Sequence, residues 1–105
     1  MRILFLLLTL LTLTACNPCE ERCRAEANNI DTCLHDWGLE WADLDAADAA
    51  DYRLSCVAAE EVFDAGLEAG ERKVERALCQ DVVTDLRLAN DCEAVWEALV
   101  SYGGE

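Results

Sequence analysis

Positive charge is scarce in this chain: eight Lys and Arg stand against 22 Asp and Glu, a formal net charge of −14 at neutral pH. A surface this acidic repels phosphate backbones and anionic headgroups, which excludes nucleic-acid partners. Histidine is limited to His35, whereas a general base needs a nucleophile and an orienting group beside it. Its chain neighbour Asp36 points to another side of any helix, so His35 reads as a solvated surface residue. Ser55 and Ser101 are the only serines, and neither sits in a GxSxG-like elbow. Gly38, Gly66, Gly70, Gly103 and Gly104 are scattered, so no loop cradles phosphate; they read as helix punctuation. No catalytic residue and no cofactor is therefore assigned. Alternating β-branched runs and hairpin turn pairs are missing, which argues against strands. No apolar run reaches the ~20 residues that a membrane-crossing helix needs.

What the chain does have is 53% hydrophobic residues, set largely at helical spacing, which separates it from disordered acidic chains. It also has seven cysteines in 105 residues. The first part of the sequence supplies their context. Met1-Arg2 is followed by an apolar run from Ile3 to Leu13, broken by Thr9 and Thr12. That run has the size of a signal-peptide core. It ends in Leu13-Thr14-Ala15-Cys16, which resembles the bacterial lipobox: an aliphatic residue, two small ones, and the cysteine that receives the lipid before cleavage. The resemblance covers residues 1–16 alone. It implies a lipoprotein signal peptide at 1–15 and a mature lipid-anchored helical domain at 16–105, held in the cell envelope through Cys16. Asn17 after the lipidated position points to the outer membrane under the enterobacterial sorting rule. Loss of Arg2 takes the mature charge to −15, seven basic residues against 22 acidic ones.

Cysteine parity agrees with this division. Lipidating Cys16 leaves Cys19, Cys23, Cys33, Cys56, Cys79 and Cys92, an even set for disulfides. Ninety residues make one domain with a marginal core, so covalent staples are expected. A zinc site or redox pair would favour CxxC spacing. Here Cys19 and Cys23 are separated by Glu20-Glu21-Arg22, and the carboxylates disfavour a thiolate. No metal ligand is assigned.

The periodicity predicts four helices. Asn17-Pro18-Cys19-Glu20 reads as N-cap, first-turn proline and first-turn acid. Cys19, Cys23, Ala27, Ile30, Leu34 and Trp37 then mark one face as far as Gly38. A linker at 39–44 leads to Asp45 as the next N-cap, and Tyr52, Cys56, Ala59 and Phe63 form the second stripe, closed by Gly66 to Gly70. Glu71 opens a third helix with Val74, Leu78, Val82, Leu86 and Ala89 in line. Asn90, with Glu93 three residues on, opens a fourth bearing Val95, Trp96, Leu99 and Tyr102, with Trp37 and Trp96 both expected in the core. The fold class is all-α, a small disulfide-stapled antiparallel bundle of three to four helices.

Helix geometry limits the pairing. Cys23 and Cys33 are about 15 Å apart along one helix, beyond the ~7 Å that a disulfide allows between Cα atoms. An i, i+4 bridge between Cys19 and Cys23 strains an intact helix. Each cysteine of the first helix must then cross to Cys56, Cys79 or Cys92. An up-down bundle places Cys33 level with Cys92, leaving Cys19 and Cys23 to Cys56 and Cys79 in either order.

Asp36, Glu40, Asp43, Asp45, Asp48 and Asp51 make the densest acidic stretch, with no Lys or Arg between Arg24 and Arg53. Asp43-Leu44-Asp45 lacks the further features of a calcium loop, which calls for an oxygen ligand at Ala47, Gly at Asp48 and Glu at Leu54. Trp41 with Glu40, Asp43 and Asp45 is the possible contact site, an aromatic residue ringed by acids. These features predict a non-catalytic envelope lipoprotein acting as a structural or protein-interaction module, its partner an envelope protein. The alternative is a small binding or inhibitor lipoprotein whose acidic surface captures a cationic ligand, divalent ion or basic protein.

Overall fold

The computed structural model describes residues 17–103 and contains α1 (Pro18–Trp37), α2 (Ala49–Ala65), α3 (Ala69–Leu88) and α4 (Cys92–Gly103), with a 3-10 turn at Trp41–Leu44. No strand occurs among the described residues. The lipobox-like segment and Cys16 lie outside them, as does Gly104. The chain is an all-α, disulfide-stapled bundle.

Local chemistry sets the helix ends. The Asn17 side chain accepts from the Cys19 N–H at 3.0 Å, and Pro18 follows it in the first turn. Gly38 ends α1 at φ 67, a left-handed conformation that glycine adopts without a Cβ penalty. Three boundaries differ from the sequence expectation, each by the choice of capping side chain. Asp48, not Asp45, caps α2 by accepting from the Asp51 N–H at 2.8 Å; Asp45 instead closes the 3-10 turn at φ 56. Glu68 and Glu71 form a reciprocal box that starts α3 at Ala69, so Gly70 lies inside the first turn. Asp91 rather than Asn90 receives the Ala94 N–H, at 2.8 Å. In each case similar capping groups lie within a few residues, and periodicity alone does not choose between them.

Side-chain pairs give the register. Along α1 and α2, Glu26 meets Tyr52, Cys23 meets Cys56 and Arg22 meets Glu60, an antiparallel order. Along α1 and α4, Cys33 meets Cys92 and Arg22 meets Tyr102, again antiparallel. Cys19 joins Cys79 while Cys33 clusters with Val82 and Leu86, so α3 runs parallel to α1. The topology is up-down-up-down with α1 as hub. It packs against all three other helices and α3 also packs on α4, whereas α2 meets α3 and α4 only sparsely. The hub role explains why buried residues occur on several sides of α1, from Cys19 and Cys23 to Ile30, Cys33 and Leu34.

The three bridges are Cys19–Cys79, Cys23–Cys56 and Cys33–Cys92, with Cα separations of 5.0, 5.7 and 5.5 Å. Cys33 and Cys92 pair by level as expected, and the order left open for the other four cysteines is now decided. Eleven apolar residues are buried among the described ones; Cys33, Val82, Leu86 and Val95 form one packed cluster, flanked by Trp37 and Leu99.

Parts of the expected stripes lie outside this core. Phe63, Val74 and Leu78 are exposed, as is Ala59, and Trp96 is 48% exposed. Axial offset accounts for Phe63 and Val74. Cys79 sits level with Cys19, so the first ten residues of α3 project about 15 Å past that point at 1.5 Å per residue. With Cys56 level with Cys23, α2 likewise passes the start of α1 near residue 61. Among the described residues no third helix covers the end of this α2–α3 hairpin. Trp96 has a different cause: Val95 takes the core position, and no packed α2 covers the neighbouring face of α4.

Candidate functional site

One polar cluster ties the helices together inside the bundle. Arg22 is 7% exposed; its guanidinium donates to Glu26 of α1 and Glu60 of α2 and lies 4.7 Å from the centre of the Tyr102 ring. The Tyr52 hydroxyl donates to the other Glu26 oxygen at 2.8 Å, and the Tyr102 hydroxyl donates to Glu75 at 2.8 Å. The cluster therefore links all four helices. Burial pulls the Arg22 pKa down, but Glu26, Tyr102 and Glu60 outweigh it and the net shift is upward. Burial, then Glu26, raises the Tyr52 phenol. Burial and the hydrogen bond to Glu75 push Tyr102 up to about 12. All three shifts favour a charged Arg22 and neutral phenols at neutral pH. The sequence carried a weak sign of the cluster in the i, i+4 spacing of Arg22 and Glu26; its partners on α2, α3 and α4 were not foreseen.

Cys19, Glu60, Glu75 and Cys79 also bring potential metal donors within 4.8 Å of one another. With Cys19 and Cys79 joined, neither sulfur is a thiolate, and the strong donors of such a set are missing.

Of the residues singled out in the sequence, Trp41 is half-buried. Its ring lies 5.7 Å from that of Tyr52, and its indole N–H donates to Asp31 at 3.2 Å. Glu40 and Asp43 cap the 3-10 turn reciprocally, with the Glu40 N–H bonded to Asp43 at 2.8 Å. Glu40, Asp43 and Asp45 stay exposed around this turn. The structure thus gathers the four residues but turns the indole toward α2.

The exposed tryptophan is Trp96. It packs edge-on against Trp37 at 5.3 Å, and the Trp37 indole N–H is held by the Cys92 carbonyl at 3.2 Å. Together with Leu39 the two rings floor an open groove of about 680 Å³ bordered by Asp36, Asp91 and Glu93. No Lys, Arg or His lines it. An aromatic floor with carboxylates around it suits a cation carrying apolar bulk, through ring faces and ion pairs together. Its components lie far apart in the chain, at the end of α1 and the start of α4, and the Cys33–Cys92 bridge brings them together. That level match was the available signal; the outward turn of Trp96 was not. No family model matches the chain, and no curated protein or solved structure matches it.

Proposed function

We propose that the protein is a non-catalytic, lipid-anchored envelope module that captures a basic protein partner through the Trp37–Trp96 groove. The lipobox-like Leu13-Thr14-Ala15-Cys16 supports the anchor and the extracytoplasmic address, with Asn17 favouring the outer membrane. One observation carries the binding role: a half-exposed tryptophan packed edge-on against Trp37 in a groove whose charged lining residues are all acids. Tryptophan is the residue type most often found at the energetic centre of an interface. A rim of one charge sign speeds encounter with the opposite sign and rejects acidic competitors. The groove lies at the C-terminal end of α1, about 30 Å along a 20-residue helix from its start, which on this reading keeps it clear of the anchor.

The test is capture from envelope extracts with purified protein as bait, comparing the parent with Trp96→Ala and with Asp91→Asn/Glu93→Gln. A partner retained by the parent should be lost with Trp96→Ala, weakened in the charge variant, and released by high salt, which screens exposed ion pairs. Unfolding midpoints of the charge variant should stay close to the parent value. Equal capture by all three proteins excludes the groove as the binding face.

A further inference from the structure

The projecting α2–α3 hairpin lies at the same end of the molecule as the start of α1. Cys16 is three residues before Cys19, and three extended residues span at most ~10 Å. The hairpin passes Cys19 by about 15 Å, farther than the chain between Cys19 and Cys16 can reach. A lipid on Cys16 of an upright domain therefore brings the hairpin end close to the membrane plane. That end is apolar where no other helix covers it. Val62 is 78% exposed, Phe63 52% and Val74 61%. Phe63, Leu67, Gly70 and Val74 border a shared depression of about 540 Å³ with Glu68, Glu71 and Glu75.

We infer that the end of the α2–α3 hairpin, centred on Phe63, Leu67 and Val74, docks into the lipid surface beside the Cys16 anchor and fixes the tilt of the domain. This inference rests on the lipid-anchor reading. The tip near Ala69 projects farthest, and by the same rise Val74 and Phe63 lie about 7.5 and 4.5 Å past the level of Cys19. A diacylglycerol already supplies two acyl chains, so the hairpin contact sets the orientation of the domain rather than its retention. Charge selects the lipid class. Five acids (Glu61, Asp64, Glu68, Glu71, Glu75) outnumber Arg72, Lys73 and Arg76 around the hairpin end, so a zwitterionic surface is accepted and an anionic one resisted. Orientation follows as well: with the hairpin end on the membrane, the Trp37–Trp96 groove is presented at the opposite end.

Phe63 offers a direct probe. The chain has two phenylalanines, Phe5 and Phe63, so removal of residues 1–15 leaves Phe63 as the single site for fluorophenylalanine. The labelled full-length protein, matured in cells, is placed in zwitterionic vesicles, and its fluorine signal is recorded with a shallow nitroxide-bearing lipid or with a water-soluble paramagnetic chelate. The expected result is loss of the resonance with the nitroxide lipid and its survival with the chelate. Vesicles containing anionic lipid should weaken the nitroxide effect. Broadening by the chelate alone overturns the docking inference, as does protection from both agents, which indicates a second protein copy on this face. Intact mass of the same sample separates the two levels. Lipid on Cys16 with a water-exposed Phe63 overturns the docking alone, and absence of lipid overturns the anchor and the docking together.

Discussion

Removing the Cys33–Cys92 bridge as Cys33→Ala/Cys92→Ala should cost about 3.5 kcal/mol. The two residues are 59 apart in sequence, but the unfolded chain keeps its other bridges. With Cys19–Cys79 in place, the shortest path from Cys33 to Cys92 runs back to Cys19, across the bridge and on from Cys79. That circuit is about 27 residues long, for which loop-closure entropy gives ~3.5 kcal/mol at 25 °C. The same construction gives about 27 residues for Cys23–Cys56 and for Cys19–Cys79, so entropy ranks the three bridges equally. Differences between them then report the folded state. Cys23 and Cys79 are fully buried, so their bridges should cost more than the common value through lost packing. Cys33–Cys92 should lie closest to it. Urea unfolding of the three paired-alanine variants measures this directly. A loss below about 1 kcal/mol for Cys33–Cys92, or a loss well above those of the other two bridges, refutes the reasoning.

Arg22→Met strands Glu26 and Glu60 without their cation and should cost about 3–5 kcal/mol by urea unfolding, most of it recovered by adding Glu26→Gln and Glu60→Gln. Folding raises the Tyr102 phenol to about 12 and also raises Tyr52, above the ordinary ~10. Their contribution is therefore fully present below about pH 10 and is lost as pH climbs through the folded values. Phenolate absorbance should rise together with loss of helix signal, not before it. Gly38→Ala, at φ 67, should destabilise by about 1 kcal/mol. Gly70→Ala, in the first turn of α3 with open space around it, should stabilise by about 0.4–1 kcal/mol.

The limits of α1 were legible because their chemistry is local. Asn17-Pro18 and Gly38 supply the side chain and backbone freedom that each end needs. The four-helix class followed from spacing and short connections, and the level match of Cys33 with Cys92 followed from chain direction. Axial offset was not legible. A periodic stripe tells which side of a helix faces inward, but not how far the helix slides along its neighbour. Phe63 and Val74 therefore read as core and proved to lie past the start of α1. Trp96 shows the same limit sideways, since Val95 and Trp96 are adjacent and only the placement of α3 and the gap beside α2 decide which is buried. The reach of Arg22 beyond its own helix was illegible for another reason. A single arginine beside a cysteine gives no sign that Glu60, 38 residues away, will pair with it.

Intact mass of the protein extracted from membranes without reduction decides whether the proposed lipid-anchored, triply bridged domain starting at Cys16 exists. The expected species is a chain starting at Cys16, carrying diacylglycerol, and weighing six hydrogens less than its reduced form. A chain that retains Met1, carries no lipid, or contains free thiols contradicts it.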